Sequence, residues 1–143
     1  MKKSKINKRF VYLISPNKNK GHKFFIDLER VLKSKNKISN QEVSSKTLEC
    51  LKKSVPNEVP GIAFLSGGQS ELEATENLNL INKNNNTNFI MTYSYGRALQ
   101  QSALKFWSKD IKNIKGTQNI FNHRAKMCSL AAQGKWSGEL ENK

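Results

Sequence analysis

The chain has 143 residues and a formal net charge of +14. This length suffices for one ordinary domain with a core of its own. No stretch approaches the roughly 20 consecutive apolar residues of a membrane span, and the basic start is not followed by the apolar segment of a secretory signal. These features exclude the membrane-spanning and secreted classes and predict a cytosolic protein.

The positive charge is concentrated near the N-terminus. Residues 1–37 contain 12 Lys and Arg against 2 Asp and Glu, whereas residues 38–143 contain 13 against 9. A basic segment of this kind raises the hypothesis of a nucleic-acid-binding module. An abundance of Lys and Asn along the whole chain explains the same charge without any function, so nucleic-acid binding is the less favoured hypothesis. We divide the chain into a basic N-terminal segment with one strand, 1–37, and a second region, 38–143.

Three short β-prone runs predict strands near residues 10–14, 61–65 and 89–94. The run 61–65 is apolar throughout, which is typical of a strand buried on both faces. Each run ends at a turn that contains Pro, Gly or Asn.

Helical patterns follow each strand. A marginal helix is predicted over residues 24–32, and two later helices over 98–107 and 111–130, from apolar residues at helical spacing. Two serines precede further helices at the capping-box spacing, Ser39 with Glu42 and Ser70 with Glu73. The alternation of strands and helices predicts an α/β fold with parallel strands.

Two strand-to-helix loops carry residues suited to an anion. These candidate binding residues are Ser66, Gly67, Gly68, Ser94, Gly96 and Arg97. Glycines let backbone N–H groups approach an anion, and a following helix N-terminus contributes partial positive charge. Arginine offers two parallel donors to phosphate oxygens. Because the loops follow successive strands, they predict one anion site at the carboxyl ends of those strands.

The residues around both loops resemble class I fructose-bisphosphate aldolases. The stretch 59–71 is similar to the seventh strand and loop of that family, and 94–105 to the end of the eighth strand and the helix after it. The similarity continues through 124–126 to 129–135. These motifs are long, ordered and correctly spaced.

The resemblance implies a fold and a site. The fold is a partial TIM (β/α)8 barrel, with roughly the last three strand-helix units and C-terminal helices, because a complete barrel needs roughly 250 residues. The residues implied to bind a phosphate of the sugar bisphosphate are Ser66, Gly67, Gly68, Ser94, Gly96 and Arg97. No cofactor and no metal ion is implied.

One family residue is replaced. Residues 13–17 resemble the end of the family's sixth strand, where a lysine forms a Schiff base with the substrate ketone, and Ser15 occupies that position. A serine cannot form the iminium that drives carbon–carbon bond cleavage. Lys18 and Lys20 lie nearby, but they fall beyond the strand and are the less favoured substitutes.

Three functional hypotheses follow. The first is an inactive, truncated relative of a glycolytic lyase, one that cleaves fructose 1,6-bisphosphate to glyceraldehyde 3-phosphate and dihydroxyacetone phosphate. The second is a working aldolase whose missing half comes from another chain or from an incomplete gene model, and the third is a basic nucleic-acid-binding module. The expected partners are a sugar bisphosphate, a second copy of the chain or a full-length aldolase.

The open sheet edges of a partial barrel predict marginal stability or self-association. Phe106, Trp107 and Phe121 are expected in the core or on faces that a short chain leaves uncovered.

Overall fold

The protein is described here from a computed structural model that covers the backbone of residues 11–14 and the whole of residues 39–142. Within these ranges it forms a three-stranded sheet, four α-helices and a short C-terminal 3-10 helix. The strands are β1 (Val11–Ile14), β2 (Gly61–Phe64) and β3 (Ile90–Tyr93), the helices are α1 (Asn40–Ser54), α2 (Glu71–Lys83), α3 (Arg97–Trp107) and α4 (Ile114–Ala131), and the 3-10 helix is Gly138–Asn142. The helix expected over 24–32 lies outside the described residues.

The sheet has the order β1-β2-β3, and both strand pairs are parallel. Each predicted strand is present within about a residue of its expected ends, so the α/β reading with parallel strands is confirmed. Phe64, the last residue of the central strand β2, pairs with Ile14 of β1 on one side and with Tyr93 of β3 on the other. The last residues of all three strands therefore meet at one edge of the sheet.

The central strand is covered on both faces, as its sequence predicted. Successive side chains of a strand point to opposite faces, and the neighbours Ile62 and Ala63 are both buried. β3 differs, because Met91 is buried whereas Ile90 is 73% exposed. One face of this strand thus remains open to solvent among the described residues.

Local hydrogen bonds set the helix starts. Ser70 and Glu73 form the predicted reciprocal capping box at the start of α2, and the hydroxyl of Ser39 accepts from the N–H of Glu42 at the start of α1. α4 begins three residues later than expected. Its cap is Asn113, whose side chain accepts from the N–H of Gly116 at 3.0 Å and so ends the turn that precedes the helix.

Two apolar clusters form the core. The first joins α1 and α2 to the sheet and comprises Leu48, Leu51, Val59, Ile62, Ile81, Phe89 and Met91. The second joins α2 to α3 and α4 and comprises Ala74, Leu78, Tyr95, Ala98, Cys128 and Ala131. Since α2 contributes to both clusters, it links the sheet to the C-terminal helices. No helix within residues 39–142 has the length and apolar character needed to cross a membrane.

Candidate functional site

The loops after β2 and β3 leave the sheet at the same edge. Parallel pairing continues to the last residues of both strands, and the N–H of Ser94 donates to the carbonyl of Phe64 at 2.8 Å. The loops that carry Ser66 and Ser94 therefore begin at adjacent points, at the carboxyl ends of the two strands. This is the edge at which α/β proteins usually bind ligands.

The loop after β2 depends on two glycines. Gly67 and Gly68 have φ values of 60° and 92°, in the left-handed region that glycine adopts without steric cost. A side chain at Gly68 would meet no atom within 4 Å, so the backbone conformation rather than space requires glycine there. The N–H of Gln69 closes the turn by donating to the carbonyl of Ser66 at 3.0 Å. Both glycines are exposed, and their backbone is open to a ligand.

The loop after β3 is anchored by Tyr95. This side chain is buried, and its hydroxyl donates to the carbonyl of Ala74 in α2 at 2.9 Å. Burial raises the pKa of Tyr95, so the hydroxyl keeps the proton that it donates. The flanking residues Ser94, Gly96 and Arg97 are exposed. The loop is thus held at one residue while its polar groups face solvent.

The two helix N-termini at this edge differ in charge. The start of α2 is capped by the side chain of Ser70 and carries Glu71 and Glu73 in its first turn. The start of α3 has Gly96 as its cap, with no side-chain hydrogen bond and no acidic residue in the first turn, and Arg97 is its first residue. Helix N-termini attract anions, and acidic residues in the first turn already satisfy that preference. An anion is therefore favoured at the start of α3.

The six candidate residues that the sequence indicated all lie within the described part of the chain. They lie on two loops that follow neighbouring parallel strands, although their binding of phosphate stays a prediction. Ser15, Lys18 and Lys20 lie outside the described residues, and so does the chain before Val11. Within residues 39–142, no cluster of three or more His, Cys, Asp or Glu side chains is placed to hold a metal ion.

Sequence analysis did not identify the contacts that join the helices behind these loops. The carboxylate of Glu71 accepts the N–H of Ser102 at 2.8 Å and also the Ser102 hydroxyl. The two residues are 31 positions apart, and no local spacing rule relates them. The only available signal was that Glu71 falls inside the stretch that carries the family resemblance.

A buried arginine ties the C-terminus to the same region. Arg124 is only 4% exposed, donates to the hydroxyl of Thr75 at 2.7 Å and forms an ion pair with Glu141. Glu141 also accepts the indole N–H of Trp136 at 2.8 Å and lies 3.2 Å from Nε2 of His123. Burial alone would raise the pKa of Glu141, but the hydrogen bonds and charge of Arg124, with the other donors, outweigh burial and lower it.

An apolar groove of about 660 Å³ lies between α3 and α4, away from the two loops. Its large apolar side chains are Leu104, Trp107, Ile114 and Phe121, which are 55%, 46%, 59% and 36% exposed. Trp107 and Phe121 therefore lie on an uncovered face, which was one of the two placements expected for them.

Comparison with protein families gives a match over most of the chain. The family model described as "Fructose-bisphosphate aldolase class-I" matches residues 30–143. This range includes both loops and all four helices.

Curated relatives match the same part. A probable fructose-bisphosphate aldolase class 1 from Xylella fastidiosa is 48% identical over 101 residues, covering 70% of this chain and 30% of the relative. Fructose-bisphosphate aldolase 1, chloroplastic, from Arabidopsis thaliana is 50% identical over 102 residues, covering 71% of this chain and 25% of the relative. The chain thus spans about a quarter to a third of the length of these curated relatives.

A solved structure matches as well. It is described as a ternary co-crystal structure of fructose-bisphosphate aldolase from Plasmodium falciparum in complex with TRAP and a small molecule inhibitor. The TM-score is 0.69 and the identity 42%, and the match covers 73% of this chain and 30% of that chain. The described α/β arrangement is therefore similar to part of an aldolase.

The ion pair of Arg124 with Glu141 predicts a loss of stability in acid. Because the folded-state pKa of Glu141 is lowered, its contribution is complete above the unfolded-state value of roughly 4.3 and disappears as the pH falls through the folded-state pKa. We expect Glu141→Gln to lower the free energy of unfolding near pH 7 and to make little difference near the folded-state pKa. Urea unfolding at a series of pH values measures this.

The matched control is Glu139→Gln, which removes the same charge from an exposed position in the same 3-10 helix. It should change stability little at any pH, as is usual for exposed sites. A Glu141→Gln effect that stays constant from neutral to acid pH would contradict the assignment.

Proposed function

This chain belongs to the class I fructose-bisphosphate aldolase family, and we propose that its loops after β2 and β3 bind one phosphate group of a sugar bisphosphate such as fructose 1,6-bisphosphate. The observation that carries the proposal is the position of Arg97. It is exposed, it begins a helix that has no acidic residue in its first turn, and it lies at the same sheet edge as the Gly67–Gly68 turn. A cytosolic location, where glycolysis runs, is part of the proposal.

Three kinds of donor would act on the phosphate. Exposed backbone N–H groups at Gly67 and Gly68 approach its oxygens without a side chain in the way. The hydroxyls of Ser66 and Ser94 rotate to donate where an oxygen requires it. The guanidinium of Arg97 supplies two parallel charge-assisted hydrogen bonds. The start of α3 adds the partial positive charge of the helix dipole.

We propose that this binding occurs without aldol cleavage by the chain. The family's chemistry requires a lysine amine that attacks the substrate ketone, loses water and forms an iminium, which then accepts the electron pair of the breaking carbon–carbon bond. Ser15 stands at the position that resembles this lysine. A hydroxyl has no nitrogen with which to form the iminium, so the reaction would stop at binding.

Replacing Arg97 should weaken ligand binding. Arg97→Ala removes charge-assisted hydrogen bonds that contribute about 1.5–3 kcal/mol each, so we expect fructose 1,6-bisphosphate to bind at least about tenfold more weakly. Isothermal titration calorimetry measures the change. Arg97→Lys should recover only part of the affinity, because a lysine cannot form the planar pair of hydrogen bonds.

Lys109→Ala is the control, because it removes the same charge from an exposed position in the turn between α3 and α4. If it weakened binding as much as Arg97→Ala, the affinity would come from overall charge rather than from a built site. Equal binding by Arg97→Ala and the unaltered chain would refute the proposed role of Arg97.

Borohydride trapping tests the absence of cleavage. We expect the purified chain, incubated with fructose 1,6-bisphosphate and borohydride, to show no turnover and no covalent adduct by mass spectrometry. A class I aldolase of demonstrated activity supplies the positive control. An adduct on the chain would mean that another lysine forms the iminium, and peptide mapping would decide between Lys18 and Lys20.

The apolar groove between α3 and α4 supports a proposal about partners. The occupant that we propose is the remainder of a class I aldolase barrel, because the chain covers only about 25–30% of its curated relatives. In a complete (β/α)8 fold the outer helices form a ring in which each helix packs beside its neighbours. Leu104 and Trp107 would then be covered by a helix from the part of the barrel that this chain does not match.

A complementary fragment tests this. We expect the chain to co-elute in size-exclusion chromatography with the part of the Xylella fastidiosa relative that it does not match, after the two are refolded together. Leu104→Lys should abolish co-elution, whereas Leu72→Lys should not, since Leu72 is 53% exposed but lies outside the groove. Self-association of the chain that Leu104→Lys abolishes would instead identify a second copy as the occupant.

A further inference from the structure

Two side-chain contacts fix the first turn of α2 against the C-terminal helices. Glu71 is the first residue of this helix and lies three positions after Gly68. Its carboxylate accepts both the N–H and the hydroxyl of Ser102 in α3, the N–H at 2.8 Å. Ser102 lies five positions after Arg97. One carboxylate therefore connects the helix that follows the glycine turn to the helix that begins at Arg97.

The contact at Ser102 includes a main-chain donor. The N–H of Ser102, in the second turn of α3, donates to Oε1 of Glu71 at 2.8 Å. Hydrogen bonds to an ionised carboxylate are about twice as strong as neutral ones. The contact therefore acts on the backbone of α3 and not merely on a rotatable side chain.

The first turn of α2 also contacts α4. Arg124 of α4 donates to the carbonyl of Glu71 at 3.5 Å and to the hydroxyl of Thr75, one turn later, at 2.7 Å. Since Arg124 is buried and paired with Glu141, its position is set by the C-terminal packing. The first turn of α2 is thus anchored to α4 as well as to α3, chiefly through Thr75.

The charge of Glu71 works against the anion that the neighbouring loops would bind. A carboxylate in the first turn of α2 repels a phosphate through space and neutralises part of the helix dipole. The contact with Ser102 explains why a carboxylate stands here nonetheless, because its two oxygens accept two donors at once.

We propose that Glu71 is a positioning residue that fixes α3 relative to α2, so that the Gly67–Gly68 turn and Arg97 bind the same phosphate group. This inference rests on the proposed function. Glu71 acts through Ser102 and does not touch the ligand. The loops after β2 and β3 are then one rigid unit already before ligand binding, which lowers the ordering cost of binding.

The substitution Glu71→Gln separates a positioning role from a purely electrostatic one, because the two roles predict opposite changes in the affinity for phosphate. Removing a negative charge near the site would tighten phosphate binding if charge were its main effect. If Glu71 positions α3, the loss of a charge-assisted contact outweighs that gain, and binding of inorganic phosphate and fructose 1,6-bisphosphate weakens by about tenfold. Ser102→Ala, which removes only the hydroxyl, should weaken binding less.

Hydrogen exchange of the ligand-free chain gives a second readout that does not depend on binding. We expect Glu71→Gln to speed exchange of the backbone amides of residues 66–69 and 94–98 by about tenfold, with little change in the first core cluster. Glu76→Gln is the charge-matched control in the same helix, and Leu48→Ala, in the first core cluster, is the control for general destabilisation.

The outcomes are distinct. If the unaltered chain binds neither ligand, the proposed function fails, and the exchange measurement still decides whether Glu71 positions the loops. Tighter binding in Glu71→Gln, or loop exchange no faster than in Glu76→Gln, overturns the positioning role. Equal acceleration of loop exchange in Leu48→Ala and Glu71→Gln also overturns it, because the effect would then reflect only global stability.

Discussion

The parallel pairing of β2 with β3 is the constraint on which the candidate site depends. In a parallel pair, both strands end at the same edge, so the loops that follow them start side by side. The hydrogen bond from Ser94 to Phe64 extends this pairing to the first residue of the second loop. The burial of Ile62 and Ala63 on opposite faces of β2 holds that strand in the sheet. Without this register, Arg97 and the glycine turn would have no reason to act on one ligand.

Contacts between the helices also hold the two loops in place. The hydroxyl of Tyr95 bonds to α2, the carboxylate of Glu71 bonds to α3, and Arg124 connects α2 to α4 and the C-terminal 3-10 helix. Each of these contacts gives a buried or half-buried polar group a hydrogen-bond partner, and polar groups removed from water need such partners. Together they make α2 the element against which both loops are aligned. The exposed groups of the site therefore stand on a fixed scaffold.

Sequence reasoning recovered what depends on local patterns. The strands, the cap of α2 and the glycine turn follow from apolar runs, from serine–glutamate spacing and from the conformational freedom of Gly67 and Gly68. The start of α4 was missed because the side chain of Asn113 competes with the apolar periodicity that indicated an earlier start. The Glu71–Ser102 contact was not predictable, because it joins residues far apart in sequence and exists only after the helices have packed.

The most direct test of a phosphate site at this edge is a titration of the isotopically labelled chain with fructose 1,6-bisphosphate, followed by amide chemical shifts in NMR spectra. A built site predicts saturable shifts that are largest at 66–68 and 94–97 and that are absent with a neutral sugar such as fructose. Shifts spread over residues 1–37, or shifts that grow linearly without saturation, would contradict the account, because they would mean that the anion is attracted only by the overall positive charge.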